Sequence, residues 1–135
     1  MPESDVNDPS VPSTLWKIDP STKDATLVKT FEQKTLNLAV DPTGTFLYFL
    51  YGSDWASGSD LRRINVDHPT ELDDFEISGT GKTFYKVFVD PWNGDLYLTD
   101  VKNYLVNGTV YRYSSDGTLL KAFDAGIVPG NMLFY

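Results

Sequence analysis

The chain contains no cysteine, which excludes disulfides and thiolate chemistry. It contains one histidine, His68, in the turn-like stretch Val-Asp-His-Pro-Thr. A lone histidine without cysteine cannot build the usual zinc site. Asp67 could orient it as a base, but no motif marks a nucleophile, so His68 reads as a surface turn residue. Long apolar runs are missing too, and none approaches the ~18 residues that a membrane span needs. The opening MPESDVNDPSVPS is acidic and proline-rich, without the apolar core of a signal peptide. Positive charge is scarce: 11 Lys and Arg face 19 Asp and Glu, a net charge of −8. Such a surface repels nucleic acid and anionic membranes, so neither is expected as a partner. Helical periodicity is nearly absent: no Gly- and Pro-free window of about twelve residues sustains the i, i+3, i+4, i+7 pattern.

What the chain has instead is aromatics and turn formers: 8 Tyr, 8 Phe, 3 Trp, 10 Gly and 8 Pro, which favour strands and turns. It also repeats itself. DPWNGDLYLTD starts at Asp90 and DPTGTFLYFLY at Asp41, 49 positions earlier. Four strand types recur in register. Type a is LNLAVD (36–41), YKVFVD (85–90) and GNMLFY (130–135). Type b is TFLYFLY (45–51) and GDLYLTD (94–100). Type c is TLWKID (14–19), DLRRIN (60–65) and TVYRYS (109–114). Type d is ATLVKTF (25–31), ELDDFEI (71–77) and TLLKAF (118–123). Asp19-Pro20-Ser21, Asp67-His68-Pro69 and Ser115-Asp116-Gly117 separate c from d, and Asp-Gly is a strong hairpin signal.

A four-stranded antiparallel unit of this length is a propeller blade. The expected fold is therefore all-β: a β-propeller of four-stranded sheets, about two and a half blades. One such sheet has two apolar faces and buries both only by stacking on neighbours. That explains why Phe46-Leu47-Tyr48-Phe49-Leu50-Tyr51 is apolar throughout. The expected layout is a disordered stretch or b–c remnant over 1–12, then a partial propeller over 13–135. Its parts are a c–d pair at 14–31, blades at 36–77 and 85–123, and a final inner strand at 130–135. A closed ring needs roughly four to eight blades. The chain is thus expected to be a piece of a larger propeller, or to close a ring by self-association through exposed sheet faces.

The Asp-Pro turns with their following glycines resemble those of surface-layer YVTN and YncE-like bacterial propellers. The run GTVYRYSSDGTLLKAFDAGIVPGNMLFY resembles the closing segment of uncharacterised Bacteroidetes propellers, similar to quinoprotein amine dehydrogenase β chains. The resemblance covers about residues 13–135, whereas the family's domain is more than twice as long. It implies export or lipid anchoring, at the periplasm or cell surface of a bacterium, and carries no catalytic residues across.

SGTGKT (78–83) looks like half a phosphate-binding loop. The full motif needs a glycine where Glu76 stands, and a helix afterwards; a strand follows, so the stretch reads as a connection between blades. Asp5, Asp8, Asp54 and Asp60 lie in Gly-, Ser- or Pro-rich segments and are candidate oxygen ligands for calcium, though no calcium-loop motif is matched. No other cofactor is indicated. Asp41 and Asp90 recur at one repeat position, which points to a structural role in the a–b turn. Asn107-Gly108-Thr109 matches a glycosylation acceptor and reads as a loop.

In a propeller the d–a and b–c connections share one face at the channel mouth. Trp55, Lys82, Lys102, Asn103 and Tyr104 lie on them, and Asn37, Lys86 and Asn131 stand at the starts of the a strands, near the axis. Trp92 belongs to the opposite face as a packing residue. Aromatics with amides suit stacking on sugars or gripping a peptide; the same residues could equally pack loops and fill the channel. The expected function is a non-catalytic exported binding or scaffold propeller for a glycan or protein. The alternative is a subunit of a propeller enzyme (lyase, hydrolase or quinoprotein-like). That would need convergent catalytic groups, yet Arg62, Arg63 and Arg112 all fall on c strands. Solution mass separates the two assembly expectations. A monomer that binds an apolar dye fits the fragment, and a defined dimer or trimer fits ring closure between copies.

Overall fold

The computed structural model describes residues 12–54 and 58–135. Among these, every regular element is a strand: β1 (Thr14–Ile18), β2 (Ala25–Thr30), β3 (Thr35–Val40), β4 (Phe46–Asp54), β5 (Gly58–Asn65), β6 (Glu76–Ile77), β7 (Phe84–Val89), β8 (Leu96–Asp100), β9 (Asn107–Tyr113) and β10 (Leu119–Ile127). They form a two-stranded sheet, β1-β2, and two four-stranded antiparallel sheets, β3-β4-β5-β6 and β7-β8-β9-β10. The two-stranded sheet runs over residues 14–30 and the four-stranded sheets over 35–77 and 84–127. Trp55, Asp5 and Asp8 lie outside the described residues.

Stacking follows from β4. Phe49 and Leu50 are sequence neighbours, yet both are 0% exposed. Adjacent strand side chains point to opposite faces, so the β3–β6 sheet is covered on both sides. Phe49 and Ile64 pack with Phe31 of the two-stranded unit, with Leu15 and Leu47 against them. On the other face Tyr48, Leu50 and Leu61 pack with Val87, Leu96 and Leu98 of the β7–β10 sheet. Each fully buried side chain of this size contributes about 1.5–3 kcal/mol, so the inter-sheet layers, not the ladders, hold the units together.

The repeat persists in side-chain detail. Tyr48 faces Arg63 across β4–β5, and Tyr97 faces Arg112 across β8–β9, both 49 positions on. The guanidinium carbon lies 6.0 Å from the Tyr48 ring centre in one pair and 5.9 Å from the Tyr97 centre in the other. The a–b turn is organised by its aspartate. Asp41 Oδ1 accepts from the N–H groups of Thr45 (2.7 Å) and Phe46 (2.8 Å), and Oδ2 from that of Thr43. Asp90 Oδ1 accepts from Trp92 N–H at 2.8 Å. Burial pushes the Asp41 carboxyl up, but the Phe46 N–H and the Thr43 and Thr45 donors outweigh it and hold the group below its ordinary value.

Four expectations are corrected. Residues 130–135 form no strand, since no b-type partner runs beside them to supply a ladder. Phe134 packs its ring against Tyr97 at 5.5 Å. The last strand of the first whole blade is only β6, because Asp73 draws the chain before it into a turn, accepting from Phe75 N–H and Arg63 Nε at 2.9 Å each. Asn107-Gly108-Thr109 begins β9 and is no loop. Trp92 sits in the a–b turn as placed, but it is 67% exposed and meets Phe134 only by an edge contact.

SGTGKT is a tight connector. Gly79 N–H donates to Asp60 Oδ1 at 2.8 Å, and Lys82 N–H to Gly79 O at 2.9 Å. A Cβ on Gly79 would fall 1.9 Å from the Ser59 carbonyl oxygen. Gly79→Ala is therefore expected to cost about 1–3 kcal/mol by forcing backbone apart, seen as a lowered melting temperature, while added ATP leaves the melting temperature of the parent chain unchanged. Asp41→Ala should cost about 1–3 kcal/mol at pH 7, the scale of hydrogen bonds to a charged group. Because the folded Asp41 pKa lies below 3.8, the unfolded chain takes the proton first as pH falls. Its contribution is complete above the ordinary carboxylate value and lost as pH drops through the folded one. Urea titrations from pH 7 to 3 should show the Asp41→Ala chain losing less stability on acidification than the parent.

Candidate functional site

The inner strands β3 and β7 and the segment 130–134 enclose a cleft of about 730 Å³, lined by Asn37, Lys86 and Asn131 among others. Three of the residues expected near the axis therefore meet around one cavity. At its far end lie Asp41, Pro42 and Pro91 of the a–b turns. Local irregularities set its polar end. β3 loses register between Leu36 and Ala39, and β7 between Phe84 and Lys86. A bulge re-aims side chains at such points. Asn37 takes a left-handed φ of 57°, which asparagine tolerates better than most residues. From there its Nδ2 donates to the Tyr85 carbonyl at 2.7 Å, tying the two inner strands together. The backbone N–H of Lys86 donates to the hydroxyl of buried Thr99 at 3.0 Å.

Tyr85 is the residue that sequence reasoning missed. Its ring meets the Tyr104 ring edge-on at 6.2 Å and carries the Lys86 ammonium over its face at 5.3 Å. It also lies against Gly130, whose added Cβ would come 3.6 Å from Tyr85 Cε1. Tyr85 thereby joins Tyr104 of the b–c loop to Lys86, and to Asn131 through its neighbour Gly130. The signal was available: the equivalent position one repeat earlier is Leu36, so an apolar inner-strand residue is exchanged for tyrosine next to a lysine. Tyr104 has φ 66° and Lys102 φ 53°. Held left-handed conformations of large residues cost of order 1–3 kcal/mol and gather at functional sites. Partial burial, with the neighbouring Tyr85, pushes the Tyr104 hydroxyl pKa up, so it stays a neutral donor at physiological pH.

The other sequence-selected residues fall elsewhere. Lys82 lies over the Tyr111 ring at 5.4 Å, away from the tyrosine pair. The Asn103 Oδ1 accepts from Leu105 N–H at 3.0 Å and shapes its own loop. Asp60 is engaged with Gly79, and among the described residues no three of His, Cys, Asp and Glu gather as a metal site. All three arginines have carboxylate partners: Arg62 with Glu76, Arg63 with Asp73, Arg112 with Asp95. His68 is exposed on a c–d turn and is not among the residues that line the cleft.

No protein-family model and no curated protein matches this sequence. Among solved structures, the chain is similar to the crystal structure of the calcium-binding protein regucalcin from Agrobacterium tumefaciens strain C58. The TM-score is 0.60 at 18% identity, covering 83% of this chain and 36% of that one. The chain thus spans little more than a third of that structure's length. At this identity the likeness speaks to fold, and it agrees with the stacked sheets: the chain is an all-β partial propeller.

Proposed function

We propose that this chain is part of a non-catalytic, exported binding propeller that holds a glycan at its channel mouth. The observation that carries this is an open cleft lined by Asn37, Lys86 and Asn131, with the edge-on rings of Tyr85 and Tyr104 next to Lys86. Tyrosine rings stack on the apolar faces of sugars, while amides and an ammonium match ring hydroxyls. The groups better suited to catalysis are spent, the arginines on ion pairs and Asp41 on its turn. The YncE-like and Bacteroidetes resemblance, with a periplasmic or cell-surface location, belongs to the same proposal. So does completion of the ring. Trp16, Ile18 and Leu27 on one outer face are large exposed apolar residues of the kind that further blades or a second copy would cover.

Screening the chain on a glycan array and titrating the best ligand by calorimetry tests the proposal. Tyr85→Ala and Tyr104→Ala should each weaken binding about tenfold, roughly 1.4 kcal/mol. The His68→Ala chain, altered on an exposed c–d turn, should bind as the parent does. Equal affinity in all four chains would sink the proposal.

A further inference from the structure

The described residues form two junctions between stacked sheets, and both use the same repeat positions. At the first, Leu15 and Phe31 of the β1-β2 unit pack with Phe49 and Ile64 of the β3–β6 sheet. At the second, the counterparts of Leu15 and Phe31 one repeat later, Leu61 and Ile77, share a core with Leu98 and Tyr113. Those two are in turn the counterparts of Phe49 and Ile64. Each junction therefore joins a trailing face, marked by a c-strand and a d-strand residue, to a leading face, marked by the Ile64 or Tyr113 position.

Each face occurs a third time, without a mate. Leu61 pairs across the ladder with Ile77, and Val110 pairs with Phe123 in the same way. Val110 and Phe123 thus repeat the trailing face on the outer side of the β7–β10 sheet. Tyr97 and Arg112 beside them repeat Tyr48 and Arg63. Phe134 shields Tyr97, but Phe123 stays 38% exposed where Ile77 and Phe31 are 6% and 4%. The third leading face lies on β1. Trp16 and Ile18 are the counterparts of Tyr111 and Tyr113, and Ile18 is 67% exposed where Tyr113 is 6%.

We infer that these two faces meet between copies of this chain. The trailing face of one copy receives the leading face of the next, a third junction continuous in kind with the two inside the chain. Burying Trp16 and Ile18 against Val110 and Phe123 removes apolar surface from water as the internal junctions do. The two patches differ, so the contact is head to tail, and such contacts close into rings when the rotation per copy allows it. A propeller closes with roughly four to eight blades. At about two and a half blades per copy, two or three copies suffice. This takes up the ring completion proposed above and names its occupant, and it does not depend on the glycan.

The test is analytical ultracentrifugation of the chain over a dilution series. The parent is expected to sediment as a species of two or three chains that dissociates on dilution. Ile18→Asp and Phe123→Asp each put a charge into the proposed contact, which is unfavourable without a partner, and each should be monomeric. Both positions are exposed in the single chain, so far-UV circular dichroism should stay unchanged. An equimolar mixture of the two variants should give a species of two chains and nothing larger, because each supplies the face that the other lacks. A parent that stays monomeric at every concentration would overturn the inference, and glycan binding by that monomer would leave the proposed function standing. Loss of assembly in Ile18→Asp but not in Phe123→Asp would mean that leading faces pair with each other, and would overturn the head-to-tail junction. Failure of the mixed variants to associate while the parent assembles would overturn it as well.

Discussion

Everything in this molecule depends on sheets that are apolar on both faces. The β4 strand shows it most directly, with Phe49 buried toward one neighbour and Leu50 toward the other. A sheet of this kind is unstable in water alone, because its two faces cannot both be covered by its own four strands. Stacking is the only arrangement that removes both from solvent, and the flat, repeated unit makes stacking around an axis the natural outcome. The same constraint explains the exposed residues at the edges. Trp16 and Leu27 pair across β1–β2 on a face that no described residue covers.

Polar groups adapt to that layered core and do not compete with it. Each aspartate of the a–b turns collects backbone N–H groups that the reversal of direction leaves without partners, so Asp41 and Asp90 act on the chain locally. Arg63 and Arg112 of the c strands lie over tyrosines of the b strands, and all three c-strand arginines reach carboxylates. Arg63 shows the pattern, stacked 3.9 Å from the Phe46 ring centre and bonded to Asp73. Burial alone would raise the Asp73 carboxyl, but the Phe75 N–H and the Arg63 guanidinium hold it below its ordinary value. These contacts orient neighbouring strands and use up the chain's strongest cations.

The mouth is built from departures from regularity. Bulges in β3 and β7 occur close to the same repeat position, and left-handed residues turn the 101–106 loop back toward the axis. Regular strands would send Asn37 and Tyr85 into the ladders or between sheets. The irregularities bring Asn37 and Lys86 to one cleft, with the Tyr85 and Tyr104 rings next to Lys86. Where the repeat is strict the protein is structural, and where it departs from strictness the groups able to hold a ligand come together.

The amino-acid sequence by itself determined the blade, its spacing, the strand types and the task of Asp41 and Asp90. These follow from patterns of period two and from turn chemistry, which act over a few residues. It also put Asn37, Lys86 and Asn131 at matching positions of the repeat, and these three line one cleft. Tertiary structure alone decided the rest. Tyr85 became the hub of the mouth through a register shift and a contact with Gly130, which is 45 positions away. Asn103 and Lys82, equally plausible by type, were drawn into a loop turn and onto Tyr111. Gly130, Asn131, Met132 and Phe134 line the cleft yet residues 130–135 have no ladder, since a strand exists only by hydrogen bonds to a neighbour. Local chemistry is written in the chain; which groups meet across repeats is settled only when the sheets stack.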